Sequence, residues 1–362
     1  MSDYDVAEPA IQIAAPEVDE LEHLEFLGDV YLPRPCELDL GEASGLICNL
    51  EHAITRCACG YPGKINLKSE EDHLTCSFGS RLAAVCLANN HIMDYGEQGL
   101  EDTIACLHAS GIPSFGVGRL SENCGNPLLL DVGGCRVGLM GYVCPSTSAV
   151  FAQGTHPGVR AIDIDVIRKD IASARAMGAE RIVVCLHWGC EQVYMPKPED
   201  IHTSRHILYA GADLIIGHHA HRIQPFEIRD SGYVFYGLGN CIMPDLDVPS
   251  FYDEHGEPTR RFLAKQSYIN RCSLAVGYHP GEGLVQVSVV DYSDGRLTRS
   301  STNPRRYLRS LNESQSYERI FRRSYNMGKC RSALASWLAQ PKLPRVSHIK
   351  SILSTCRSTE FK

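Results

Sequence analysis

No stretch of this chain approaches the ~18–20 consecutive apolar residues that cross a bilayer as a helix. The first twenty residues, "MSDYDVAEPAIQIAAPEVDE", lack both the basic start and the apolar core of a secretion signal. They read as an acidic, Pro/Ala-rich flexible leader. A strong basic excess is missing too: net charge is −8, an ordinary acidic value that points to neither nucleic acid nor anionic membranes. There is no internal repeat and no low-complexity block. CxxC pairs are also absent, although the chain has 16 cysteines. A secreted domain would use that many as disulfides, but a signal and small size are both missing. Several sit inside apolar runs, such as Cys86 in "LAAVCLA" and Cys185 in "IVVCLHWG", where cysteine acts as a small hydrophobe. The expectation is a reducing, cytoplasmic setting. Cys57 and Cys59 in "RCACG" make a poor metal motif.

What is present is a well-cored globular chain. It is 44% hydrophobic and 22% charged over 362 residues, enough for one large domain or two ordinary ones. Apolar runs alternate with helical stretches. Strands are expected at 21–30, 45–51, 81–91 and 181–189, and helices at about 96–110, 163–179 and 198–211. Gly133-Gly134 marks a hairpin within 126–143, and an Asp-Ser-Gly turn marks another within 223–240. This pattern predicts a mixed sheet with helices outside it. The segment "MPDLDVPSFYDEHGEPTRRF" reads as loop, followed by a hairpin near 272–292. From Asn303 onward there are 13 Lys and Arg against 3 Asp and Glu. This basic, mainly helical extension, taken as 301–362 after a 21–300 domain, would pack on the acidic body or dock an anionic partner.

The polar residues that could do chemistry share one property. Asp29, Asn49, Glu51, Asn90, His91 and His187 all stand at carboxyl ends of predicted strands, where open α/β sheets bind ligands. So do the three histidines of "GADLIIGHHAH". Carboxylate, amide and imidazole together suit a divalent ion and need no thiolate. If 218–221 leaves its strand extended, residues two apart face the same way. His219 and His221 would then point to one centre and His218 away from it. A turn there would instead pair His218 with His221.

The ordered series "GDVYLPR", "NLE", "LANNHIMDYGEQGLEDT", "LHWGCE", "GADLIIGHHAHRIQP" and "YGLGN" resembles the poly-γ-glutamate capsule-synthesis (CapA) family. That family is a branch of the calcineurin-like metallophosphoesterases, and the resemblance covers about residues 22–244. It implies a four-layer α/β/β/α sandwich with mixed sheets and two divalent ions (zinc, manganese or iron) at the sheet edge. By position, Asp29 and His221 would bind the first ion, and Asn90, His187 and His219 the second, with Glu51 bridging. His91 would protonate the leaving group. Asp94 would orient His91 or cap the following helix. Arg34 and Glu191 would face a small-molecule or γ-glutamyl substrate. One departure is Tyr31, which stands where ordinary superfamily members carry the histidine of Asp-x-His. The implied activity is hydrolysis of a phosphoester or of a γ-glutamyl or other amide bond. The alternative is an accessory role in polymer or peptide synthesis and export.

Overall fold

The computed structural model describes residues 21–311 and 317–339 except 123, 125, 230 and 231, with backbone only beyond 330. The acidic leader and residues 340–362 lie outside the described residues.

Two mixed sheets dominate the chain. The first has nine strands, with Leu24–Val30 near its middle. On one side Leu24–Val30 runs parallel to Leu46–Leu50, then Leu82–Cys86, then Ser114–Phe115. On the other side it pairs antiparallel with Cys272–His279, and near its carboxyl end it runs parallel to the short strand Asn240–Ile242. The second sheet has six strands. Its middle is the parallel set Cys135–Val143, Arg181–His187, Leu214–His218 and Gly232–Phe235.

Alternation along the strands shows how the layers meet. Val137, Leu139 and Val143 join the same core cluster as Phe26, Ile47 and Val85 of the first sheet. The intervening Met140 and Tyr142 face the other way. They pack with Ile167 and Ile171 of the helix Ile164–Ala176 and with Ile201 and Leu208 of the helix Pro198–Tyr209. The helix Gly96–Ala109 contributes Leu100 and Leu107 to the first cluster. The period-two pattern of the second sheet's parallel strands thus serves two different cores.

Most expected elements form within a few residues of the expected bounds. One does not. The run expected as loop forms a hairpin, Leu246–Tyr252 against Pro258–Ala264. A proline such as Pro249 disfavours a central strand, but this ribbon pairs as its own two-stranded sheet, so Pro249 removes no central ladder bond. Val248, Ser250 and Tyr252 alternate inward, and the turn is held by Asp253, which accepts from the backbone of His255 and Glu257. Residues 317–339 form one helix. Tyr317 Oη donates to the Pro196 carbonyl, and Ser324 Oγ accepts from Tyr194 N–H. No helix among the described residues is long and apolar enough to cross a membrane.

One buried acid on a helix carries a pH prediction. Asp200 sits in the first turn of Pro198–Tyr209, and its carboxylate accepts from Lys197 N–H at 3.2 Å. Burial pushes its carboxyl from 3.8 up to about 7, against the opposing pull of Lys197. The native state therefore keeps a proton that the unfolded chain releases. The stability this group contributes is complete below about pH 4 and is lost as pH rises towards 7. Asp200→Asn stays neutral throughout. Relative to wild type it should gain on the order of 2–4 kcal/mol between pH 4 and pH 8, read as the difference in urea midpoints. A difference that does not change with pH would refute the buried, protonated acid.

Candidate metal centre

The parallel strands of both sheets point their carboxyl ends to one place. Asp29 is the penultimate residue of its strand, and its N–H donates to the Gly239 carbonyl at 3.0 Å. That close approach needs Gly28: a Cβ there would stand 2.0 Å from the Gly239 oxygen. Glu51 follows the neighbouring strand and is anchored by its N–H on the Val30 carbonyl, 2.9 Å away. His187 ends the second sheet's strand. Asp29, Glu51 and His187 are buried and offer one ligand atom each within 4.8 Å of one another. Asn90 joins them, its Oδ1 2.7 Å from His187 Nε2. The His219 ring lies 4.7 Å from that of His187, centroid to centroid. His221 Nδ1 lies 3.2 Å from Asp29 Oδ2 and 3.8 Å from Glu51 Oε2.

The histidine run does not leave its strand extended, as the residues-two-apart argument required. The strand ends at His218. His219 and His221 then take φ of 80° and 51°, a left-handed backbone uncommon outside glycine. Two contacts fix the turn: His219 N–H on Asp29 Oδ2 at 3.3 Å, and Gln192 N–H on the Ala220 carbonyl at 2.7 Å. His218 is also in the cluster, its Nδ1 3.0 Å from Asp29 Oδ1.

Electrostatics mark the cluster as short of positive charge. Burial and the Asp29 charge hold the Glu51 carboxyl well above the usual carboxylate range. Burial works against the ionised Asp29 too, but His218 and His221 outweigh it and hold that carboxyl low. Burial pulls His187 well down and His219 to about 4. Burial also opposes the charged form of His221, yet Glu51 and Asp29 lift it to about 10. Glu51 Oε2 and His219 Nδ1 are buried without a hydrogen-bond partner. Such orphans are costly unless something else satisfies them. A divalent cation would take up both, and oxygen and imidazole donors are the set it prefers.

Around this centre stand residues that the sequence reading left unassigned. Asn49 Nδ2 donates to Asp29 Oδ1 at 2.9 Å, and Asn89 Nδ2 to Asn49 Oδ1 at 3.1 Å. Asn89 Oδ1 also caps the N–H groups of His91 and Ile92. Asn240 Oδ1 lies 2.8 Å from His221 Nδ1. Asn49 was marked by its strand end but given no role, and the only signal for Asn89 and Asn240 was their place in the quoted motifs. His91 Nδ1 is 2.7 Å from Asp94 Oδ2, and Asp94 is fully buried. Asp94 does not cap the helix Gly96–Ala109, which has no side-chain cap. Tyr31 packs with Leu67, Met243 and Val248, so the wall is apolar where the usual motif carries a ligand. Glu191 is exposed on the loop after His187. Its crowded surroundings raise its carboxyl, and His219, His221, His91 and Lys64 more than reverse this. Arg34 is exposed. Cys57 is half-buried and Cys59 exposed. Among the described residues, no cysteine shares a metal-sized cluster.

Residues 34–245 match the family model of the bacterial capsule synthesis protein PGA_cap. The chain belongs to this family. Asp29 lies just outside the match, and the other clustered residues lie inside it. A capsule biosynthesis protein CapA of Bacillus anthracis is 32% identical over 181 residues, 49% of this chain and 44% of the relative. A "probable polyglutamine synthesis accessory protein" of Mycobacterium tuberculosis is 35% identical over 170 residues, 44% of each chain. The chain thus matches less than half the length of these two relatives. The PGA biosynthesis protein CapA of Bacillus subtilis is 25% identical over 258 residues, covering 70% of this chain and 63% of its own. Among solved structures, a putative 5'-nucleotidase of Staphylococcus aureus aligns with a TM-score of 0.38 at 14% identity, over 84% of this chain and 58% of that one. That likeness is too loose to bear on the site.

Proposed function

We propose that this family member is a metal-dependent hydrolase of a phosphoester or of a γ-glutamyl or other amide bond, built on a calcineurin-like four-layer sandwich. The observation that carries the reading is the pair of buried orphans, Glu51 Oε2 and His219 Nδ1, beside a like-charged Asp29–Glu51 pair. Asp29 and His221 would hold one divalent ion, and Asn90, His187 and His219 a second, with Glu51 shared. When bound, such ions supply Lewis acidity at the scissile group.

The chain's own groups do the rest. Asn49 braces Asp29, and Asn240 sets the face that the His221 ring presents. With Nδ1 engaged by Asp94, His91 has Nε2 free to hand a proton to the leaving atom. Glu191 and Arg34 are the substrate-facing candidates from sequence, and the exposed Glu191 near His219 and His221 fits that role better.

The second reading is an accessory role in capsule-polymer synthesis or export, with the metal site used for binding. The names of the matched relatives favour it. One experiment separates the two. Protein stripped with chelator and reloaded with zinc, manganese or iron(II) should bind close to two ions per chain and melt at higher temperature. The loaded protein is then assayed on a panel of phosphoesters and γ-glutamyl peptides. Turnover supports the hydrolase, and metal uptake without any turnover supports the accessory role. No uptake of any ion removes both.

A further inference from the structure

Lys64 reaches the site from a loop that the sequence reading passed over. The loop is rigid for local reasons. Asn66 Oδ1 accepts from Tyr61 N–H, and Asn66 Nδ2 donates to the carbonyls of Tyr61 and Lys64. Phe251 of the unexpected hairpin also donates its N–H to the Lys64 carbonyl at 3.0 Å, and Ile65 bridges Ser250. Leu67 N–H is held by Asp94 Oδ2 at 2.8 Å. The Lys64 side chain therefore starts from a backbone gripped on both sides.

Its ammonium lies 2.6 Å from Asp94 Oδ1 and also donates to the Asn90 carbonyl. Asp94 thus uses one oxygen for Lys64 and the other for His91. One buried carboxylate sets a cation and an imidazole side by side, next to the candidate ligand Asn90. An ammonium has three N–H donors; one goes to the Asn90 carbonyl, while Asp94 Oδ1 is an ion-pair contact without hydrogen-bond geometry. The side chain is still 15% exposed, whereas Asp94 is sealed. Lys64 also helps to hold the Glu191 carboxyl low, so its charge is felt across the site.

We propose that Lys64 is an anion-binding residue of this site, a remaining N–H taking an oxygen of a tetrahedral oxyanion such as a phosphate monoester or inorganic phosphate. The proposal rests on the metal-hydrolase reading, because it assigns that site's substrate contact. A residue that only neutralised the sealed Asp94 would need no exposure.

The test measures inorganic phosphate binding to the manganese-loaded full chain by calorimetry, with metal content and melting temperature recorded for each variant. Lys64→Met should weaken phosphate binding about tenfold or more, the worth of a charge-assisted hydrogen bond, while metal content stays at the wild-type level. Lys64→Arg should stay near wild type. The double variant Lys64→Met/Asp94→Asn removes both charges of the buried pair and guards against misfolding. It should show the same loss. Phosphate binding undiminished in Lys64→Met, no phosphate binding by loaded wild type, or loss of metal together with phosphate would overturn the proposal. Weakened phosphate binding with full metal content but no turnover of any phosphoester or γ-glutamyl peptide would sink the hydrolase reading and leave Lys64 as an anion site. If wild type takes up no metal, Lys64-dependent phosphate binding by the metal-free chain would still support the assignment.

Discussion

Glu51→Gln should weaken divalent-ion binding at least 100-fold and yet leave the metal-free protein at least as stable as wild type. Glu51 is fully buried, faces the like charge of Asp29, and has one oxygen without a hydrogen-bond partner. Without a cation, that carboxylate is a burden on the fold. Glu51→Gln keeps the shape and removes the charge, so the metal-free variant loses the repulsion. It also loses the shared ligand. Metal affinity should fall by 100-fold or more, beyond the ~10–100-fold typical for residues that only support ligands. Wild type at 100 times its dissociation constant gains about 2.7 kcal/mol from bound metal, and the variant should gain no more than about 0.4 kcal/mol at that concentration. Melting curves with and without manganese or zinc, with elemental analysis, check both halves. Wild-type metal uptake by Glu51→Gln would remove Glu51 from the ligand set. A metal-free variant much less stable than wild type would show the carboxylate to be structurally satisfied.

Alanine at position 91 should have the opposite signature: metal retained and chemistry lost. His91 is oriented through Nδ1 by the sealed Asp94, and it neighbours the candidate ligand Asn90 without belonging to the Asp29–Glu51–His187 group. As the proton donor to the leaving group, it is worth about 10²–10⁴ in turnover. The loss in His91→Ala should be largest for an alkyl phosphate, whose leaving oxygen needs the proton. It should shrink for p-nitrophenyl phosphate, whose leaving group departs as the anion. His219→Ala should lose metal and activity together. Equal losses of His91→Ala on both substrates, or loss of metal in that variant, would rule out proton donation.

The two effects differ because of one residue's spacing in the chain. Asn90 and His91 are adjacent, yet Asn89 caps the turn beneath them and Asp94 fastens His91 from the far side. Asn90 therefore faces His187 while His91 engages Asp94. The capping amide cannot be told from an ordinary polar loop residue without the folded turn, and only that turn gives Asp94 to His91 rather than to the helix.

The elements around the site were legible because their signals are local. Leu24–Val30, Leu46–Leu50 and Arg181–His187 are apolar runs that end in acid, amide or imidazole, and burial of such a run on both faces leaves a strand as its stable form. The residue types at those ends, with the motif series, were enough to expect an oxygen-and-nitrogen metal site and to place the chain near the capsule-synthesis family. The hairpin Leu246–Tyr252/Pro258–Ala264 was missed because its proline speaks against a central strand, and only the tertiary structure shows that it joins neither sheet. The turn at 219–221 stayed an open alternative for a different reason. Its left-handed backbone is held by the Asp29 carboxylate and the Gln192 N–H, groups remote in sequence. Lys64 belongs with these: its meaning depends on Asp94 and Asn90 lying opposite, and nothing in "YPGKINL" announces a partner 26–30 residues away. Sequence by itself determined which side chains stand at strand ends, since period-two burial is a property of each segment. Which of them meet, and which cation stands beside them, was decided only by packing one sheet on the other, because those contacts join residues that local periodicity cannot relate.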